Sequence, residues 1–376
     1  MEQRIYLDNA ASTPLHPEVF ETMMNTSKYI YGNPSSIHRE GAVAKNLLEE
    51  SRKILADFLH TSASQIFFTS GATESNNAMI RSACTSGKHQ HIITSPLEHP
   101  AVLKSIQYYS SANSIQVHYI NPDIHGNINL DELTQLLESN GKNIFVSLMH
   151  THNELGTILP IRSVAELCQK HGAMFHSDTV QSIGLIDLNV TELKIDCIVG
   201  SAHKFYGPKG VGFMYLKEPA HIQPFIYGGS QERNMRSGTE NLIGIVGMIK
   251  AIELAKTEID QRNKHIKILN DKLRNGLVEL NIPHELNSPS SDCIPKILNV
   301  YFDKSPNTDW LLMNLDIEGI AVSGGSACSS GSEKASHINE YIRPNSLGRS
   351  IRFSFSHMNT EEEIDYTLQV LKRLIK

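Results

Sequence analysis

The chain has a single tryptophan and only five cysteines in 376 residues. The cysteines stand at 84, 168, 197, 293 and 328, an odd number with no C-x-x-C pair. A disulfide framework and a structural zinc site are therefore not expected, and the thiols read as those of a reduced, cytoplasmic protein. No apolar run approaches the ~18 residues a membrane-spanning helix needs, so no membrane partner is expected. The opening MEQRIYLDNAAS lacks the apolar core of a secretory signal. A strong excess of charge of one sign is missing too. Lys and Arg number 34 and Asp and Glu 40, a formal net charge of −6 that argues against direct nucleic-acid binding. Hydrophobic residues reach 40%, too many for a disordered chain and enough for a large core. At roughly 100–200 residues per domain the length suggests about two domains.

What is present is an alternation of apolar runs and helical patterns, the mark of an α/β protein with a mostly parallel sheet. Strands are expected at Ile66–Thr69, His91–Ser95, Ile144–Met149, Met174–Asp178, Cys197–Gly200 and Gly212–Tyr215, with helices such as Ala42–Leu59 and Ile161–His171 between them. After Arg236 the pattern changes. Leu242, Ile245, Ile249 and Ile252 repeat at helical spacing, as do Ile266, Leu269, Leu273 and Leu277, with the polar stretch Lys256–Lys264 between. This reads as a long helical connection. A second α/β unit follows, with strands at Ile297–Phe302 and Ser350–Phe355 and a final helix opened by Thr360-Glu361-Glu362-Glu363, a capping box.

Three segments carry chemistry. Phe67 to Asn77 reads as strand, small-residue turn and helix start, where the free N–H groups of Ala72 and Thr73 form an anion cup. Neither Walker nor G-x-G-x-x-G spacing is present. Asp178 stands at the carboxyl end of an apolar strand, where open α/β sheets bind ligands. A carboxylate there needs a cationic partner. Lys204 follows the apolar Cys197–Gly200 within Ser201-Ala202-His203-Lys204-Phe205-Tyr206-Gly207. A desolvated amine in that position forms Schiff bases readily. Phosphate cup, ring-nitrogen carboxylate and Schiff-base lysine are together the parts of a pyridoxal 5'-phosphate site. The His89/His91 and His150/His152 pairs lack an evident third ligand, so no metal site is expected. Cys328 differs from the other cysteines. It lies in Val322-Ser323-Gly324-Gly325-Ser326-Ala327-Cys328-Ser329-Ser330-Gly331-Ser332, small and polar surroundings that suit an exposed, mobile thiol.

With these segments in hand the chain resembles the cysteine desulfurases of the NifS/IscS type, within the class V aminotransferases of fold-type I. The resemblance covers nearly the whole chain. It also takes in Tyr6–Pro14, Gly32–Ser36, Glu98-His99-Pro100, Arg233–Thr239 and Gly325–Cys328. It implies a large domain, residues 16–257, with a mostly parallel seven-stranded sheet flanked by helices. A smaller α/β domain, residues 1–15 and 258–376, would carry the cysteine loop. It implies that Lys204 carries the cofactor, that Asp178 pairs with its ring nitrogen and that His99 stacks on the ring. Ala72, Thr73, Ser201 and His203 would hold the phosphate, with Thr239 reaching in from a second subunit of a homodimer. Gln181 would contact the ring oxygen. Asn153 and Arg352 would bind the carboxylate of L-cysteine. Cys328 would take the sulfur as a persulfide, or hold a transient iron–sulfur cluster. It would pass the sulfur to an acceptor protein, either an iron–sulfur scaffold or a tRNA-thiolation enzyme. Selenocysteine cleavage, another class V reaction and an inactive cofactor-binding partner are the alternatives.

Some positions depart from the family pattern. His152-Asn153-Glu154 stands where Asn-Asn-Glu is usual, and Asp178-Thr179-Val180-Gln181 where Asp-Ala-Thr-Gln is usual. The long stretch from Cys328 to Arg352 fits the subgroup with an extended cysteine loop. The sequence stops at Lys376, soon after the Thr360 helix, where longer relatives carry a tail that docks an iron–sulfur scaffold. Docking by that route is not expected.

Overall fold

Apolar runs bounded by turn residues become most of the strands of three sheets in the computed structural model, which describes residues 4–305, 308–324 and 336–375. In chain order the strands are β1 (Ile5–Tyr6), β2 (Ile66–Thr69), β3 (His91–Thr94), β4 (Gln116–Tyr119), β5 (Ile144–Ser147), β6 (Met174–Asp178), β7 (Cys197–Ser201), β8 (Gly212–Leu216), β9 (Glu285–Leu286), β10 (Ile297–Phe302), β11 (Ile320–Ala321) and β12 (Arg349–Ser354). The helices are α1 (Pro17–Tyr29), α2 (Arg39–Phe58), α3 (Ala72–Thr85), α4 (Pro100–Asn113), α5 (Leu130–Ser139), α6 (Ile161–His171), α7 (Val190–Leu193), α8 (Leu242–Glu279), α9 (Leu311–Ile317), α10 (His337–Ile342) and α11 (Glu361–Ile375).

The large sheet has seven strands in the order β2-β8-β7-β6-β5-β3-β4. Only β8 opposes its neighbours; the other strands share one direction. Helices cover both faces, which is why β2, β5, β7 and β8 are buried at every position rather than alternately. The helix Ile161–His171 forms where its spacing indicated and buries Ile161, Val164, Ala165 and Cys168 on one face. Antiparallel β12-β10-β9 makes a second, three-stranded sheet, and β1 pairs in parallel with β11.

The helical repeats after Arg236 form one 38-residue helix, α8. Its first half, from Leu242 to Leu254, packs into the core under the large sheet. Its second half, Ile266 to Leu277, packs with Leu7, β10, β12 and α11. In the polar middle Arg262 is buried, pairs with Glu258 one turn earlier in the same helix at 2.7 Å and stacks over Tyr206 from elsewhere in the chain. At the last helix both halves of the capping box form. Glu363 N–H donates to Thr360 Oγ1 at 3.3 Å, and Thr360 N–H donates to Glu363 Oε2 at 3.2 Å.

Among the described residues no helix is long and apolar enough to cross a membrane.

Candidate active site

Side chains at the carboxyl ends of the parallel strands, joined by the N-terminal segment and β12, line a cavity of about 460 Å³. Its walls include Ala72, Thr73, His99, Asn153, Asp178, Gln181, Ser201, His203, Lys204 and Arg352. These come from parts of the chain up to 280 residues apart, and the fold brings all ten together. Thr239 is exposed and not on the cavity wall. Cys328 lies outside the described residues.

The strand β2 ends at Thr69, and Gly71 caps α3 with no side-chain hydrogen bond. The first N–H groups of that helix are therefore open to the cavity at Ala72 and Thr73. Backbone packs closely beneath this turn. A Cβ on Gly212 would lie 2.6 Å from Gly71 Cα and 2.5 Å from the Gly200 carbonyl, so only glycine fits there. Ser201 and His203, from the end of β7 and the turn after it, stand on the same wall. Burial, with help from Lys204, Lys209 and Lys296, pushes His203 down to about 4, so the ring is neutral.

Asp178 ends β6 and is 5% exposed. Its Oδ2 accepts from Asn76 Nδ2 at 2.7 Å and its Oδ1 from Val180 N–H at 3.0 Å. Both donors are neutral, which leaves a buried carboxylate suited to a cationic N–H from a ligand. Val180, in place of the usual Thr, thus serves through its backbone. Gln181 Nε2 donates to the Ala10 carbonyl at 2.9 Å. Lys204 follows in the 3₁₀ turn after β7, and its Nζ donates to the carbonyls of Ala10 at 2.7 Å and Ala11 at 2.9 Å.

His99 caps α4. Its Nδ1 accepts from Ala101 N–H at 3.1 Å, which assigns the ring proton to Nε2. Burial lowers its pKa; Asp178 opposes that shift, and Lys204 and His337 add to it. Arg352, on β12, is 2% exposed. Its Nη2 bonds Asp8 Oδ1 at 2.8 Å and its Nη1 the Asn153 carbonyl at 2.9 Å.

His152 has a structural task. Its Nδ1 accepts from the N–H groups of Glu154 and Leu155 at 3.1 and 3.0 Å, and its Nε2 bonds the Leu97 carbonyl at 3.0 Å. It shapes the loop that presents Asn153. Burial pushes it to about 4, so it stays neutral. Sequence reasoning missed three residues of the site. Asn76 and Asp8 lie inside quoted motifs, and helical spacing places Asn76 one turn after Ala72. Lys296, whose Nζ donates to the Lys204 carbonyl at 2.9 Å, had no local signal. Among the described residues no cluster of three or more His, Cys, Asp or Glu suits a metal ion.

A family model for the class-V aminotransferases matches residues 5–367. A cysteine desulfurase IscS of Dictyoglomus turgidum is 42% identical over 380 residues, covering 100% of this chain and 95% of the relative. A solved NifS-like protein superposes with a TM-score of 0.90 at 36% identity, covering 99% of each chain. A structure described as SspA in complex with cysteine gives 0.79 at 30% identity, covering 95% of this chain and 100% of the other. With the strand-end cavity and these full-length similarities together, the chain belongs to the class-V aminotransferase family, among its cysteine desulfurases of the NifS/IscS type.

Proposed function

We propose that the protein is a pyridoxal-phosphate-dependent cysteine desulfurase that converts L-cysteine to L-alanine and leaves the sulfur as a persulfide on Cys328. The observation that carries the reading is the single cavity shared by an open helix N-terminus, a buried carboxylate with neutral donors, a lysine and a buried arginine. That donor set fits the cofactor: N–H groups for its phosphate, a carboxylate for its ring nitrogen, an amine for its aldehyde. When bound, pyridoxal phosphate supplies an electron sink for the charge that develops at the substrate Cα.

The chain's own residues do the rest. The Ala72 and Thr73 N–H groups, with Ser201 and His203, hold the phosphate. Thr239 of a second subunit joins them in a homodimer. Asp178, steadied by Asn76, holds the proton on the ring nitrogen, and Gln181 contacts the ring oxygen. Arg352 and Asn153 fix the substrate carboxylate. Arg352 has five N–H donors, of which Asp8 and the Asn153 carbonyl take two, so its fork keeps donors for a ligand. Lys204 tethers the cofactor and, with His99, moves the Cα proton. The Cys328 thiolate attacks the substrate sulfur. An S–S bond forms as the C–S bond breaks, and the electron pair of that bond returns to the substrate carbon, which is protonated to alanine. The persulfide then passes to an acceptor protein of iron–sulfur assembly or tRNA thiolation.

The test is alanine and sulfide release from L-cysteine with a reductant, for the wild type beside Cys328→Ala and Lys204→Ala. Equal amounts of both products, abolished in both variants, are expected. A cofactor-loaded wild type that makes no alanine would sink the reading.

A further inference from the structure

Among the described residues two carboxylates stand on the cavity wall, Asp178 and Glu74, and only Asp178 has a task in the functions given above. Glu74 lies in the first turn of α3, one residue after Thr73. An acidic residue there suits the helix dipole as long as the helix end faces water. Here the open Ala72 and Thr73 N–H groups face a cavity read as the seat of a phosphate, and a bare carboxylate beside them would repel that anion. Glu74 is not bare. Its Oε1 accepts from Arg236 Nε at 2.9 Å and its Oε2 from Arg236 Nη2 at 3.4 Å. The Arg236 and Glu74 side chains are 22% and 15% exposed, so the pair escapes much of the screening that a surface pair meets. Oε2 also accepts from Ser70 N–H at 3.0 Å, closing the turn that leads into Gly71. Burial works against ionisation of Glu74, yet its bonds to Arg236 and Ser70 prevail and hold it below the ordinary carboxylate range.

The backbone that delivers Arg236 is unusual. Glu232, Arg233 and Asn234 have φ of 43°, 55° and 65°, three successive non-glycine residues in a region that such residues normally enter singly. The surrounding structure holds them there. Arg52 grips the Glu232 carboxylate at 2.7 and 2.8 Å, Arg233 donates to the carbonyls of Ala63 and Ser64 at 3.1 Å each, and Met235 is buried in one cluster with Phe67 and Ala72. We propose that Arg236 is a positioning residue for the phosphate cradle: by gripping Glu74 at two points it cancels the one carboxylate beside the open N–H groups and holds it against the Ser70 turn, so that the cradle accepts a phosphate dianion. This rests on the reading of that turn as the seat of the cofactor phosphate. The planar fork suits the task because it fixes the carboxylate in orientation as well as in charge.

The test compares pyridoxal 5'-phosphate with pyridoxal, which lacks the phosphate. The full chain, freed of bound cofactor, is titrated with each, and the Schiff-base absorbance is followed. The ratio of the two dissociation constants isolates the contribution of the phosphate. Arg236→Gln should weaken pyridoxal phosphate about 10-fold and leave pyridoxal within about two-fold. Arg236→Lys, which keeps the charge, should recover most of the ratio, and so should Arg236→Gln/Glu74→Gln, which removes both charges. Glu74→Gln alone should bind pyridoxal phosphate at least as tightly as the wild type. Equal weakening of both ligands in Arg236→Gln, or weakening of neither, would overturn the proposal. If Arg236→Gln does not fold, a Glu74→Gln protein that loses its preference for the phosphorylated form overturns it by itself. A wild type that binds neither ligand would end the cofactor reading and this proposal with it, whereas a wild type that binds pyridoxal phosphate with a ratio unmoved by the substitutions would end the proposal alone.

Discussion

Replacing Arg352 with lysine isolates the planar fork from the charge. The guanidinium has five N–H donors, of which one goes to Asp8 and one to the Asn153 carbonyl. Two N–H groups on the terminal nitrogens remain for a substrate carboxylate. An ammonium in the same place has three donors. With Asp8 and Asn153 served, one is left, and it is not paired in a plane. The variant therefore loses one charge-assisted hydrogen bond to the substrate, worth about 1.5–3 kcal/mol. That corresponds to roughly 10- to 150-fold in kcat/KM for L-cysteine. The contact exists in the bound substrate as well as in the transition state, so the loss should fall mainly on KM. The assay is initial alanine formation against cysteine concentration, with thermal unfolding as the control for folding. An unchanged KM in a variant of unchanged Tm would refute the assignment of the carboxylate to Arg352.

Three further outcomes are expected. Arg52 Nη1 and Nη2 bond Glu232 at 2.7 and 2.8 Å, and Glu232 also accepts from Phe68 N–H at 2.9 Å, all buried. Glu232→Ala should cost about 3–5 kcal/mol in denaturant unfolding, while Arg52→Met/Glu232→Met together should cost less; a double variant no better than the single would count against this. His150, His152 and His176 are held neutral by burial, each near 4. The unfolded chain binds more protons than the native one from about pH 6.5 down to about 4, so stability should rise with pH across that window and be lost as pH falls through it, by up to about 3 kcal/mol per histidine. Glu98, raised by burial, acts in the opposite sense above its ordinary range; a flat profile by denaturant titration at each pH would contradict the assignment. Gly212→Ala would force backbone at Gly71 and Gly200 apart, costing about 1–3 kcal/mol and weakening pyridoxal phosphate retention in equilibrium dialysis; unchanged retention would show that the Gly71 turn is not part of the phosphate cradle.

The parts legible in the sequence were those whose signal is local. Fully buried strands such as Ile144–Ser147 and Cys197–Ser201 show as continuous apolar runs. The edge strand Gln116–Tyr119 was missed because it is only partly buried at its middle two residues and exposed at its ends. β1, β9 and β11 span two residues each, too few to show a period. Lys204, Asp178 and the Ala72–Thr73 turn could be read because each terminates a strand. Their partners could not. Asn76 meets Asp178 across 102 positions, and Asp8 meets Arg352 across 344, contacts that only the folded topology creates. The polar stretch Lys256–Lys264 interrupts the apolar repeat, but Arg262 is buried against Tyr206 from elsewhere in the chain.

The N-terminal segment has a consequence for the order of folding. β1 pairs with β11, Asp8 binds Arg352, and the carbonyls of Ala10 and Ala11 receive the Lys204 amine. Residues 5–11 are thus held by parts of the chain made much later. During synthesis the large sheet can collapse on its own local pairings, while Ile5, Tyr6 and Asp8 wait for their partners on β11 and β12. Contacts of such sequence separation close slowly. The cavity should be the last region of the molecule to become ordered, and a ribosome stalled before Arg349 would carry a nascent chain whose lysine is already placed on its sheet but whose substrate end is still open.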